Sequence, residues 1–277
     1  MEKYSVLMSV YYKEQPDWFD EAINSMIKQT VPPDEFVIVK DGELTEALNN
    51  VIDRYTEKYP ELFRIVALPE NKGLGPALLT GVMACKNEII ARMDSDDISL
   101  PTRCFEELFE LESDESLMIV GSWVNEFCGG TDNIIALRKL PCSNADIKEF
   151  ARKRCPFAHP SVMYRKSAVT AAGNYRDYPY FEDYDLWIRM IKNGYECKNI
   201  DKPLVYMRVN DDFYRRRGGV KYLKKVLRFK REQYKSGFYS FKDYFVSAGA
   251  HCVVCLMPNF MRDFVYKKLL RSKNKGR

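Results

Sequence analysis

Strand and helix signals alternate along the first hundred residues of this 277-residue chain, and that alternation restricts its fold more than any other feature. Apolar runs predict strands at residues 4–12, 35–39, 63–68 and 89–93. Between them, apolar residues at helical spacing predict helices over 18–28 (Trp18, Phe19, Ala22, Ile23, Met26, Ile27), 45–58 and 76–85. Short connections between such segments imply right-handed crossovers and a mainly parallel sheet covered by helices on both faces. Beyond Pro101, which suits a first helical turn, the pattern predicts a helix to about residue 111 and a strand over 118–127. A strand at 162–164, a helix over 183–192 and a strand over 204–209 follow. Residues 128–160 show no clear period, and from residue 220 the chain reads as helical with a break at Pro258.

Open α/β sheets bind ligands outside the carboxyl ends of their strands, so the residues that follow each strand are the candidates for chemistry. The run 89–93 leads directly into Asp94-Ser95-Asp96-Asp97. One carboxylate would suffice to cap a helix, whereas three in four residues repel one another unless a cation or basic groups balance them. Oxygen ligands of this kind suit Mg²⁺ or Mn²⁺, with the remaining positions filled by water and a substrate's phosphates. Asp41-Gly42 follows the second strand. Alone it is a turn signal, but on a neighbouring parallel strand Asp41 faces the same edge and could accept a hydrogen bond from a base or sugar. Asn71-Lys72-Gly73-Leu74-Gly75-Pro76 has the wrong glycine spacing for a dinucleotide fingerprint. It offers Lys72 to a phosphate, with Gly73 permitting close backbone approach.

Glu182-Asp183-Tyr184-Asp185 opens a helix, where acidic residues answer the helix dipole. Beside a metal site, Asp183 could instead take a proton from an attacking hydroxyl as general base. His159 is a candidate substrate contact, while His251, inside an apolar helical run, reads as structural.

Charge is distributed unevenly. Residues 1–201 carry 23 Lys and Arg against 34 Asp and Glu, and residues 202–277 carry 20 against 5. A nucleic-acid partner fits the basic tail, but the acidic body and the lack of a nucleic-acid motif argue against it. Basic amphipathic helices also bind anionic membrane surfaces, which is the reading preferred for this tail. The opening residues lack the basic and apolar regions of a signal peptide, and no apolar run reaches the roughly 18–20 residues that span a bilayer. The expectation is a cytoplasmic chain, peripheral on the inner face of the membrane. The eight cysteines lie scattered through apolar segments and are expected to stay reduced. Cys252-x-x-Cys255 lacks a second ligand pair and reads as packing thiols.

Taken in order and spacing, these motifs resemble the inverting glycosyltransferases of family 2, which have the GT-A fold. The resemblance runs from about residue 4 to residue 217. It rests on Ser9-Val10-Tyr11-Tyr12-Lys13-Glu14, Val39-Lys40-Asp41-Gly42, Asn71-Lys72-Gly73 with Ala77 and Gly81, Asp94-Ser95-Asp96-Asp97, and Glu182-Asp183-Tyr184-Asp185-Leu186. Ala91-Arg92-Met93, Ile98-Ser99-Leu100-Pro101 and Arg215-Arg216-Arg217-Gly218-Gly219 look most like bacterial exopolysaccharide, capsule and O-antigen transferases, including the amylovoran type.

The resemblance implies a GT-A catalytic domain over 1–217, with a donor half of about 1–100 and an acceptor half of about 101–217. A basic helical extension would occupy 218–277. It further implies a UDP-sugar donor held by Glu14, Asp41, Lys72, Ser95 and the backbone near Val10. Asp94 would contact ribose or sugar and flank the metal, Asp96 would ligate Mn²⁺ or Mg²⁺ across the diphosphate, and Asp183 would be the base. The acceptor would be a saccharide on a polyprenyl diphosphate, and the transferred sugar a hexose, glucose or galactose. Two positions depart from the family pattern. Tyr12-Lys13 stands where many members have Tyr-Asn, and Val209-Asn210-Asp211-Asp212 where many carry a metal-holding histidine.

Two other function classes compete. A sugar nucleotidyltransferase should show a Gly-rich, basic loop after the first strand, and 10–14 contain no glycine. A non-catalytic saccharide-binding or scaffolding protein would have no need of the full acidic set.

Overall fold

In the computed structural model, which describes residues 1–209 and 218–257, the alternation is realised as four strand–helix units. They are β1 (Tyr4–Val10), α1 (Pro16–Ile27), β2 (Glu35–Lys40), α2 (Glu46–Lys58), β3 (Phe63–Ala67), α3 (Leu74–Ala84), β4 (Ile89–Met93), the short β5 (Ile98–Ser99) and α4 (Arg103–Ser113). The second half adds β6 (Leu117–Phe127), β7 (Ile134–Arg138), α5 (Asn144–Phe150), β8 (Met163–Arg165), α6 (Lys166–Ala171), α7 (Glu182–Lys192) and β9 (Glu196–Arg208). Two helices close the described chain, α8 (Gly219–Lys235) and α9 (Phe241–Leu256).

The nine strands among the described residues form one sheet, ordered β3-β2-β1-β4-β8-β6-β9-β5 with β7 against β6. β3, β2, β1 and β4 are mutually parallel, as is the long pairing of β6 with β9. The antiparallel pairings involve β5, β7 and β8. The chain runs outward from β1 through β2 to β3 and then returns to place β4 on the other side of β1. That reversal opens a crevice between the carboxyl ends of β1 and β4, where such sheets bind ligands.

Period-two alternation places Val6 and Met8 with Phe19, Ile23 and Leu48 on one face, and Leu7 with Leu78, Val82 and Trp187 on the other. Both faces of β1, β2 and β4 are buried, which is why these strands read as nearly continuous apolar runs, whereas the edge strand β3 is partly exposed. Thr45 caps α2 by accepting from the Leu48 amide at 3.3 Å. Helix α3 begins earlier than expected because Gly73, at φ +89°, turns the chain into it from loop 71–73.

β9 starts well before the predicted 204, and its first half is polar. Pro203 sits opposite Trp123 at an irregularity in the register, which divides the strand's apolar signal in two. The aperiodic stretch 128–160 contains β7 and the seven-residue α5, the latter capped by Ser143.

Helices α8 and α9 are packed onto the body. Val226 and Phe229 of α8 join Phe181, Tyr184 and Ile188 of the α7 region in one apolar cluster, with the Phe181 and Phe229 rings stacked 4.5 Å apart. The Tyr184 hydroxyl shares a 2.8 Å hydrogen bond with Tyr239 in the turn between them. Among the described residues no helix is long and apolar enough to cross a membrane.

Candidate active site

The β1–β4 crevice collects most of the residues singled out from the sequence. Glu14, in the turn after β1, accepts a 2.6 Å hydrogen bond from the Ser95 hydroxyl in the turn after β4. Its other oxygen accepts from the Gln15 amide at 2.8 Å. The Val10 carbonyl accepts from the Asp41 amide at 2.9 Å, tying the β1 and β2 ends together. Asp41 is buried, and its two carboxylate oxygens accept from the backbone amides of Lys72 and Gly73 at 2.7 and 3.0 Å. It therefore anchors loop 71–73 and leaves the Lys72 ammonium half exposed at this edge, 3.8 Å from Glu70.

The acidic turn is braced from below and from the side. Arg92, only 1 % exposed, pairs with Asp94 through Nη2, while its Nε and Nη1 have no partner among the described residues. Asp97 accepts from the Arg208 amide at 2.7 Å. The Arg208 side chain lies between the Trp18 and Phe127 rings, 4.8 and 4.6 Å from their centres. From there it donates to the Asp96 carbonyl at 2.9 Å and pairs with Glu21 at 2.6 Å.

These contacts leave surplus negative charge in the crevice. Burial, reinforced by Asp94 and Glu14, pushes the Asp96 carboxyl up to about 7. Burial and the neighbouring Asp96 and Asp94 also push Asp97 well above the ordinary carboxylate range. Carboxylates that raise one another in this way fit a divalent cation, which would relieve the repulsion. Among the described residues no three His, Cys, Asp or Glu side chains converge to enclose an ion unaided. The 210–212 segment, where a further ligand was sought, lies outside the described residues.

Asp183 sits in the first turn of α7, close enough to Arg92 to feel its charge. It accepts from the Tyr184 amide at 2.7 Å and from the Cys155 thiol at 3.5 Å. Burial raises its carboxyl above the usual range, while Arg92 and Arg138 pull it back. One guanidinium thus bonds Asp94 and acts on Asp183. Beside it, burial pushes Glu182 up to about 7. His159 bonds the Tyr175 hydroxyl at 3.0 Å and lies edge-on to Trp187. Burial, with Arg92 nearby, holds it neutral.

Sequence reasoning did not assign roles to Arg92, Arg208 or Cys155. Arg92 carried a signal, because a charge inside the otherwise apolar run 89–93 must find a partner. Arg208 and Cys155 reach their partners from more than 25 positions away, which no local pattern reports.

The comparisons agree with this geometry. Residues 5–172 match the model of the Glycosyl transferase family 2. The chain is 35 % identical to the UDP-Gal:alpha-D-GlcNAc-diphosphoundecaprenol beta-1,3-galactosyltransferase of Escherichia coli, over 97 % of each chain. It is 36 % identical to the amylovoran biosynthesis glycosyltransferase AmsE of Erwinia amylovora, covering 96 % of this chain and 98 % of that one. Among solved structures, the mannosyltransferase PcManGT of Pyrobaculum calidifontis, in complex with GDP-Man and Mn²⁺, shares the fold. Its TM-score is 0.65 at 14 % identity, covering 97 % of this chain and 80 % of that one. The sheet, its switch-point crevice and these matches agree: the fold is GT-A, and the chain belongs to glycosyl transferase family 2.

Proposed function

We propose that the protein is a metal-dependent inverting hexosyltransferase of bacterial surface polysaccharide synthesis. It would move galactose or glucose from a UDP-sugar to a saccharide carried on a polyprenyl diphosphate. The observation that carries this reading is the convergence of Glu14, Ser95, Asp94 and Asp96 at the switch point, with the guanidinium that pairs with Asp94, that of Arg92, also acting on Asp183. The relatives named above support it, since one acts from UDP-Gal on a diphosphoundecaprenol-linked sugar. In this reading residues 1–100 bind the donor, 101–217 the acceptor, and 218–277 form the basic extension that holds the protein at the cytoplasmic face of the membrane.

Glu14, Asp41 and the β1 end near Val10 would border the nucleoside, with Lys72 and Ser95 beside the phosphates. Asp96, with Asp94 beside it, would hold Mn²⁺ or Mg²⁺. When bound, that ion would neutralise charge gathering on the departing nucleoside diphosphate. Asp183 would accept the proton of the acceptor hydroxyl as its oxygen bonds to the anomeric carbon and the bond from that carbon to the phosphate oxygen breaks. Attack from the face opposite the leaving group inverts the carbon, by the facial logic of inverting glycosidases.

The test is incubation of the purified protein with sugar nucleotides, Mn²⁺ and a synthetic GlcNAc-diphosphate-lipid. Transfer that disappears in Asp96→Ala and Asp183→Ala supports the reading. Pyrophosphorolysis would assign a nucleotidyltransferase, and binding without turnover a saccharide-binding protein. Unchanged transfer in Asp183→Ala would remove the base assignment.

A further inference from the structure

The last described helix is unusual on its outer surface. Phe241, Phe245, Val246, Val253 and Leu256 of α9 are 56–64 % exposed, so an apolar face, with the exposed Lys242 at its start, points away from the body. No Asp, Glu, Lys or Arg occurs from Tyr244 to Met257, and burial pushes the one histidine there, His251, down to about 4. A helix on an ordinary water-facing surface presents charged residues on its outer side, and patches this large mark interaction sites.

The α9 face adjoins positive charge. Arg228, Arg231 and Lys235 of α8, with Glu232 as the one carboxylate among them, line a groove of about 400 Å³ against Tyr244. Arg228 is paired with Glu232 at 2.9 Å. Tyr234 stacks on Tyr244 with centroids 5.4 Å apart, and Phe241 lies 4.4 Å from Phe245. Aromatic rings beside cations, next to an apolar face, are the composition of a segment at a lipid–water boundary.

We propose that α9 and the adjoining α8 groove form a docking surface for a bilayer containing anionic phospholipid. Helix α9 lies in the plane of the headgroup–acyl boundary, and Arg231 and Lys235 sit at the lipid phosphates. At 16 residues α9 is about 24 Å long, too short to cross a hydrocarbon core of about 30 Å, so it lies along the surface. A second copy of the chain is the weaker occupant. A two-fold contact pairs like patches and would bring two cationic grooves together, whereas an anionic bilayer complements them.

The surface is rigidly tied to the reaction centre. The inner side of α8 stacks Phe229 on Phe181, two positions from Asp183, and Tyr239 bonds Tyr184. Docking would therefore set the height of Asp183 above the membrane. This inference rests on the lipid-linked acceptor proposed above and names the surface that meets the lipid.

The test is co-sedimentation of the full chain with vesicles of phosphatidylglycerol and phosphatidylethanolamine, and with phosphatidylcholine vesicles. Three variants accompany it: Phe241→Ser/Phe245→Ser, Arg231→Gln/Lys235→Gln, and Phe105→Ser/Phe109→Ser, which removes an exposed aromatic pair on α4. Circular dichroism checks folding, and transfer to a short water-soluble acceptor checks the site. The expected result is binding to the anionic vesicles, weakened on the order of tenfold or more by the α9 change. The α8 change should weaken it about tenfold to thirtyfold, and the α4 change should have no effect. Strong binding that survives the α9 change overturns the proposal and leaves the lipid-linked acceptor standing. A dimer in sedimentation equilibrium that Phe241→Ser/Phe245→Ser dissolves, without vesicle binding, overturns it in favour of self-association. Absence of transfer to any diphosphate-lipid acceptor, with vesicle binding intact, refutes the acceptor reading and keeps the docking surface.

Discussion

Replacing Arg103 by methionine should unfold the protein at markedly lower temperature, and the size of the effect follows from its surroundings. Arg103 and Glu107 are both completely buried, with Nε 3.0 and 3.1 Å from the two carboxylate oxygens. Nη2 donates to the carbonyls of Arg92 and Val162 at 2.8 and 3.2 Å, so the pair also fixes the end of β4 beneath the acidic turn. In Arg103→Met the Glu107 carboxylate keeps its burial and loses its counter-charge, a change that costs about 3–5 kcal/mol. At about 2.1 cal/mol/K per residue, that loss lowers Tm by about 5–9 °C for a chain of this length.

A second substitution isolates the cause. Arg103→Met/Glu107→Leu removes both charges and should recover most of the loss, because well-packed apolar residues replace buried pairs at little cost. Acidity should also matter in the unmodified protein. Burial pushes Glu107 up to about 7 in spite of Arg103. A carboxyl that binds its proton more tightly when folded subtracts stability as pH rises from the ordinary carboxylate range through about 7, and restores it as pH falls. Urea and thermal melts followed by circular dichroism between pH 5 and 8 measure all of this. A single variant within about 1 kcal/mol of the parent, or a double variant less stable than the single, would refute the reasoning.

Four further outcomes are expected. Asp183→Asn keeps an oxygen for the Tyr184 amide, so stability should change by less than about 1 kcal/mol while kcat falls by about 10²–10⁴. If Asp183 is the base proposed above, kcat in the parent should decline with acidity around a midpoint above the usual carboxylate range, because burial raises its carboxyl and a base must be ionised to take the proton. Arg208→Gln removes the brace between Trp18, Phe127 and the Asp96 carbonyl, and titration calorimetry should show UDP with Mn²⁺ binding about tenfold more weakly. Asp41→Asn sets an amide donor against a backbone N–H of loop 71–73, which should cost about 1–3 kcal/mol and raise the donor KM more than it lowers kcat.

The stretch from β1 to β4 was readable because its signals are local. Strands buried on both faces give unbroken apolar runs, and 89–93 matched β4 residue for residue. The acidic turn followed from that strand's end, since a carboxyl-edge position is a matter of counting. From β5 onward the chain was harder for reasons of length and range. β5 has two residues and α6 has six, too few to show a period. β9 conceals itself behind Pro203, and its polar first half is held by β6 rather than by its own pattern. The site's counter-charges were the least legible part. Arg208 and Arg138 act across the sheet, and nothing near them in the chain indicates which carboxylate they face.

Gly75 gives the enzyme a fixed stride. It lies in the first turn of α3, where any β-carbon would fall 2.1 Å from the Arg176 carbonyl and 3.2 Å from Glu182. The helix that follows the Lys72 loop therefore touches the segment that leads into Asp183, backbone against backbone. A lineage drifting toward another donor or acceptor can reshape the loop tips freely. With the substrates placed as proposed above, it cannot widen the gap between them without first rebuilding this contact, so diversity of sugars should be written at the rim of the crevice while the distance across it stays constant.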